Sequence, residues 1–184
     1  MNVHAFLDHI DAQRAAIVAE VAVLSEAAQR VRATDDAWSP LDVIEHLVLA
    51  EQVVLGDLDS APTRMAPEPT VVHRLRRSMV WLVLRLGIRV RIPVDRMRPT
   101  GTATFTVLRT RWDEQHIALR RLVTGMDRRG LQRHIFRHPI AGPLNTPQAL
   151  RLLSAHLATH HRQLARLRVA RPCHPDALPS VTEL

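Results

Sequence analysis

Apolar residues along the chain recur mostly three and four positions apart, the spacing of helices that bury one face. From about Val3 to about Arg32, Phe6, Ile10, Ile17, Val21 and Leu24 share one face, interrupted by Gln13. This predicts one long amphipathic helix, broken after it by "ATDDAW". A second helix is predicted from Pro40 to about Asp59. Ser39 is placed as its N-cap, Pro40 at its first position and Asp42 where a capping box has its acid. A third runs from about Phe105 to Met126, its apolar face built mostly from Phe105, Leu108, Trp112, Ile117, Leu119 and Leu122. The last starts behind Thr146, read as N-cap, with Pro147 at its first position, and continues to about Val169.

The intervening stretches are of another kind. "SAPTRMAPEPT" is a Pro-rich loop, and about Val71 to Val90 reads as a basic helical segment followed by the Pro/Arg loop "RIPVDRMRPTG". "HPIAGPLNTP" reads as a turn-rich connector, and no alternation is long enough to predict a strand. Four long helices with one inserted helical segment predict an all-α four-helix bundle. The expected organisation is a single bundle over residues 1–170, with 62–103 as a Pro/Arg-rich insert and 171–184 as a loosely ordered tail.

Composition agrees with this picture. Of 184 residues, 46% are hydrophobic but only 3% aromatic, so the core is aliphatic. Cys173 is the single cysteine, which rules out an internal disulfide and fits a reducing, cytoplasmic setting. The first residues carry two Asp and no basic, apolar signal pattern, and arginines interrupt the most apolar run before it reaches a membrane-spanning length. The net charge is +7, and all 25 basic residues are Arg. Codon usage in a GC-rich genome accounts for that, and so does a surface for anionic partners. The basic stretch lacks interleaved aromatics and helix-turn-helix spacing, which argues against nucleic acid. "VHRLRRSMVWLVLRLGIRVRI" has the basic amphipathic pattern of a helix lying on a membrane surface, which stays as a minority reading.

Chemistry concentrates in the histidines, of which there are 11. In "SAHLATHHRQL", His156 and His160 are four apart, so their imidazoles share one helix face and can reach one ion. His161 is turned about 100° away. Leu157 stands where a zincin has its Glu, so zincin-type peptide hydrolysis is disfavoured. His46, in the middle of the second helix on an apolar stripe, is the candidate third ligand from a facing helix. Three such imidazoles leave an open position for water or substrate. Chance alone supplies such i, i+4 pairs in a histidine-rich chain: His134 and His138 form another, in the connector.

Two stretches carry a resemblance. "WSPLDVIEHLVLAEQ" and "HPIAGPLNTPQALRLLSAHLATHHRQLARL" resemble the DinB-like superfamily of four-helix metalloproteins, which includes YfiT-like hydrolases and thiol-dependent S-transferases. Trp38, Ser39 and His46 match its second-helix signature. His156, His160 and Gln163 match its H-x-x-x-H-x-x-Q pattern, and His138, Pro139, Gly142, Pro143 and Leu144 match its connector. The resemblance implies an up-down-down-up bundle, a mononuclear site for Zn²⁺, Ni²⁺ or a similar divalent ion, and in many members a dimer. Residues 62–103 do not follow the pattern.

The leading expectation is a metal-dependent transferase that activates a low-molecular-weight thiol, or water, on His46, His156 and His160, for a small-molecule substrate. Gln163 is expected beside the ligands or on the substrate, with a solvated helix residue as the alternative. Trp81 and Trp112 are pocket-wall candidates, with ordinary core packing as the alternative for each. His116 is a reserve ligand or acid–base group, with a rim histidine as its alternative. Cys173 and His174 form a pair in the tail that is set aside. The alternatives are a non-catalytic metal-binding stress-response bundle and a membrane-surface or nucleic-acid binder acting through the insert.

Overall fold

In the computed structural model, residues 2–59, 68–86 and 95–169 are described. Both Cys173–His174 and the expected tail lie outside them. Helix α1 spans Val3–Ala22, capped by the Asn2 side chain, and turns Leu7, Ile10, Arg14, Ile17 and Val21 inward. The expected single helix to Arg32 does not form. Ser25 Oγ accepts the Ala28 N–H and starts a separate short helix, α2 (Glu26–Arg30). Gln29 closes the break by donating from Nε2 to the carbonyls of Val21 and Leu24.

Helix α3 spans Pro40–Asp59, as its punctuation predicts. Ser39 Oγ accepts the Asp42 N–H at 3.1 Å, and Asp42 Oδ2 accepts the Ser39 N–H at 2.9 Å, a reciprocal box at a buried helix end. Arg32 pairs with the same carboxylate at 3.0 Å. The basic segment forms α4 (Val71–Leu86); its expected continuation to Val90 lies outside the described residues. After a 3-10 turn at Asp95–Met97 comes α5 (Phe105–Thr124), two residues shorter than expected because the chain turns at Gly125.

The connector holds more structure than expected. Asp127 caps a short helix, α6 (Arg128–Gln132). Then β1 (His134–His138) pairs antiparallel with β2 (Gly142–Asn145), with Phe136 opposite Leu144. Strands of four and five residues are too short for alternation to register in a sequence. On a strand, His134 and His138 are separated by about 13 Å of rise and cannot chelate one ion together. Gly142 has φ +75°, and a Cβ there would lie 2.4 Å from the His73 ring, so a side chain is excluded both by backbone and by the packing of α4 on the hairpin.

Helix α7 spans Thr146–Val169. Its cap is Asn145, one residue earlier than expected: Asn145 Oδ1 accepts the Gln148 N–H and Gln148 Oε1 accepts the Asn145 N–H. Because Gln148 completes this box, the cap forms at Asn145 rather than Thr146.

The four long helices α1, α3, α5 and α7 form the bundle. Helix α3 lies along α5, and α1 along α7. The core is aliphatic, with Ile10 and Ile17 meeting Ile44, Leu47, Leu119 and Leu157 among the fully buried side chains. Among the described residues the most deeply buried acidic side chain is Glu51. Glu51 is 0% exposed; its Oε2 accepts the Trp112 indole N–H at 2.6 Å and its Oε1 accepts from His116 Nδ1 at 2.9 Å. On the far side of that ring, His116 Nε2 lies 2.6 Å from Asp11, which also pairs with Arg120. The network ties α1, α3 and α5 together.

Removing one partner of such a buried network strands the others. Glu51→Leu is expected to lower unfolding free energy by about 3–5 kcal/mol in denaturant titration. A loss below about 1 kcal/mol would show that the network contributes no net stability.

Candidate metal centre

His46 projects from α3 about two turns inside its capped end and is buried. His156 and His160 project from one face of α7 and are half-buried. His46 Nε2 lies 3.1 Å from His156 Nε2, and His160 Nε2 lies 2.9 Å from that same atom. One ring nitrogen from each histidine falls within 4.8 Å of the others. Among the described residues this is the group of metal-ligating side chains placed together. It contains no carboxylate and no cysteine.

The outward nitrogens explain the orientation. His46 Nδ1 donates to the Met97 carbonyl at 2.8 Å, and His160 Nδ1 donates to Gln163 Oε1 at 2.9 Å. A carbonyl only accepts, so each Nδ1 carries the proton and each Nε2 keeps its lone pair for the centre. His156 Nε2 can donate to only one of the two. The cluster therefore gathers more lone pairs than it has protons for, an arrangement that a cation between the rings resolves. Nitrogens bound tetrahedrally at ~2.0–2.1 Å sit roughly 3.3 Å apart. The 3.1 and 2.9 Å spacings to His156 each need only a few tenths of an ångström of ring movement. The donor set fits a divalent ion.

Trp38 forms a wall. Its ring stacks on His160 at 6.0 Å with 10° between planes and meets His46 at 4.8 Å. Burial pushes the pKa of all three imidazoles down. For His160 the value falls to about 4, with the neighbouring His46 adding to the effect. His156 falls well below its usual range through burial and the charges of His160, His46 and His138. His46 falls through burial, opposed by its bond to Met97. Neutral imidazole is the form a metal needs.

Gln163 thus lies against a member of the cluster, whereas three other candidates lie elsewhere. Trp112 is fully buried and engaged by Glu51, with the Arg14 guanidinium 4.9 Å from its ring. His116 is held between Glu51 and Asp11. Trp81 is 44% exposed on α4. His161, turned away, pairs with Glu20 at 3.2 Å.

Three contributors have a role at the site that the sequence does not specify. Met97 acts through its main chain, which has no residue signature. Trp38 is visible only as part of the helix-start motif. His138, half-buried and with its pKa pushed down to about 4 by desolvation, accepts the N–H groups of Ile140 and Ala141 in the hairpin turn, so its Nε2 carries the proton.

A helical bundle whose facing helices present converging imidazoles defines a class of metal-binding four-helix proteins. The profile of the DinB superfamily matches residues 9–164, and the chain belongs to that superfamily. Among solved structures, it is similar to YfiT from Bacillus subtilis, described as a probable metal-dependent hydrolase with an unusual four-helix bundle topology. The TM-score is 0.63 at 16% identity, over 90% of this chain and 85% of that one. No curated protein matches the chain. Among the described residues no helix is long and apolar enough to cross a membrane.

The depressed pKa values fix a pH response for metal-free protein. Between pH 6.5 and about 4 the unfolded chain takes up protons that folded His160 and His138 do not. Stability is expected to be complete above that window and to fall as pH drops through it. Denaturant titrations of chelator-treated protein across the window check this, and His160→Asn should flatten part of the slope.

Proposed function

We propose that His46, His156 and His160 hold one divalent metal ion, zinc or nickel, and that the protein is a metal-dependent enzyme acting on a small molecule. The observation that carries this reading is the convergence of three imidazole nitrogens, two of which, on His46 and His160, have outward partners that leave their lone pairs facing the cluster. The reading of YfiT as a probable metal-dependent hydrolase supports it.

A divalent ion with three neutral ligands would keep its full charge and lower the pKa of a thiol or water at the open position, giving an anionic nucleophile near neutral pH. The chain's own contribution is orientation and exclusion. The Met97 carbonyl and Gln163 fix the tautomers of His46 and His160, which sets the direction of both donors. Trp38 closes one side against water. Because the cluster holds no carboxylate, the proton released by either nucleophile would pass to solvent water. The nucleophile in this reading is a low-molecular-weight thiol, making the reaction a transfer onto an electrophilic small molecule; water in the same position would make it a hydrolysis.

Elemental analysis of untagged protein is expected to give about one metal per chain, as a single mononuclear site requires. His46→Ala should abolish it; unchanged content would end the proposal. Gln163→Ala should keep the fold but weaken metal affinity about 10–100-fold in a chelator competition, since it removes only the partner that orients His160. With metal bound, a panel of low-molecular-weight thiols against a generic electrophile, run beside ester hydrolysis, separates transferase from hydrolase.

A further inference from the structure

Helix α4 has an outer face that is exposed among the described residues. Its inner side, with His73, Val80 and Leu84, rests on the hairpin and α7. The His73 ring packs against Gly142, and Thr159 Oγ1 and Arg162 both donate to the Leu84 carbonyl. The opposite side presents Val71, Val72, Leu75, Met79, Leu82 and Leu86, each more than half exposed. On a helical projection these six fall within an arc of about 100°. Arg74 and Arg85 border the arc on one edge and Arg76 on the other. Trp81, with the Arg85 guanidinium 5.9 Å from its ring, stands beyond the first edge.

The charge of the helix selects the occupant. Residues 71–86 contain four arginines and no acidic residue. A second copy docked through the same face would place these arginines against their own counterparts, since a two-fold interface opposes identical patches. An anionic lipid surface opposes them with phosphates instead. The aliphatic arc lies on the outer side of a helix, which suits acyl chains that flow around side chains. Arginines at both edges have the reach to place their guanidiniums among headgroups while the arc goes deeper. Trp81 stands at the level where aromatic side chains favour the headgroup boundary.

We propose that α4 is an interfacial helix that docks the protein on an anionic lipid bilayer through its Val71–Leu86 apolar arc, lying on the surface rather than crossing it. This is independent of the metal centre, since α4 contributes none of the three imidazoles.

The test is flotation of the full chain with vesicles of phosphatidylcholine alone or mixed with phosphatidylglycerol, over a salt series. Wild-type protein is expected to float with the anionic vesicles, to be left behind by the neutral ones, and to be released as salt rises. Leu75→Glu with Leu82→Glu changes two exposed positions, should leave circular dichroism and metal content as in wild type, and should cut binding about tenfold or more. Arg74→Gln with Arg85→Gln should weaken binding and reduce its salt dependence. The proposal is overturned by absence of flotation, by equal binding to neutral vesicles, or by unchanged binding of the double-Glu variant. It is equally overturned if wild-type protein runs as a dimer that the double-Glu substitution makes monomeric, because a second copy then occupies the arc.

Discussion

Lone pairs on neighbouring imidazoles repel, so rings do not gather with their bare nitrogens facing inward unless something holds them there. In this protein the holding is done from behind, by a hydrogen bond to the outward nitrogen of His46 and another to that of His160. Much of the architecture serves those two bonds. Gln163 comes with the helix, three residues after His160 and on the same side. Met97 must be brought from a separate loop, and that loop is pinned. Glu45 accepts from Thr100 Oγ1 and from the Gly101 N–H, while Arg30 donates to the carbonyls of Gly101 and Ala103. Gly101 itself takes a left-handed φ of +72° to make the turn. The break between α1 and α2 thus has a use: it delivers Arg30 to the loop whose carbonyl aims His46.

Helix α3 carries two buried polar constellations on different faces. His46 and Glu51 are five positions apart, about 140° around the helix. His46 faces α7 and the candidate metal centre; Glu51 faces α5 and α1 and is saturated by Trp112 and His116. The second arrangement is closed, since both of its carboxylate oxygens have donors at hydrogen-bond distance. The first is open, since its nitrogens lack protons to share. That contrast separates a polar group kept for holding helices together from one able to take a ligand. His116 and Trp112 lie on the closed side, and a sequence cannot show this, because Glu51 is a residue that ordinarily faces water.

The legible parts were those written locally. Ser39, Pro40 and Asp42 fix the start of α3, and the i, i+4 spacing puts His156 and His160 on one face. The pairing of that face with His46 follows from the superfamily pattern as much as from periodicity. What escaped was short or non-local. Four- and five-residue strands leave no periodic trace, the break after Ala22 turns on one serine cap and one glutamine, and the shift of the α7 cap to Asn145 depends on Gln148 reaching back. Fixing His46 through a main-chain carbonyl leaves no mark on residue identity at all.

The position of α4 links the two ends of this structure. Thr159 precedes His160 by one residue, and its hydroxyl is shared between the Ala155 carbonyl of its own helix and the Leu84 carbonyl of α4. Arg162, two residues beyond His160, reaches the same Leu84 carbonyl. The turn of α7 that presents His160 is therefore also the turn that satisfies main-chain acceptors near the end of α4. Any displacement of α4 that withdrew the Leu84 carbonyl would leave that donor–acceptor set unmatched beside His160. By this contact α4 is tied to the turn of α7 that carries His160, without contributing any of the three imidazoles.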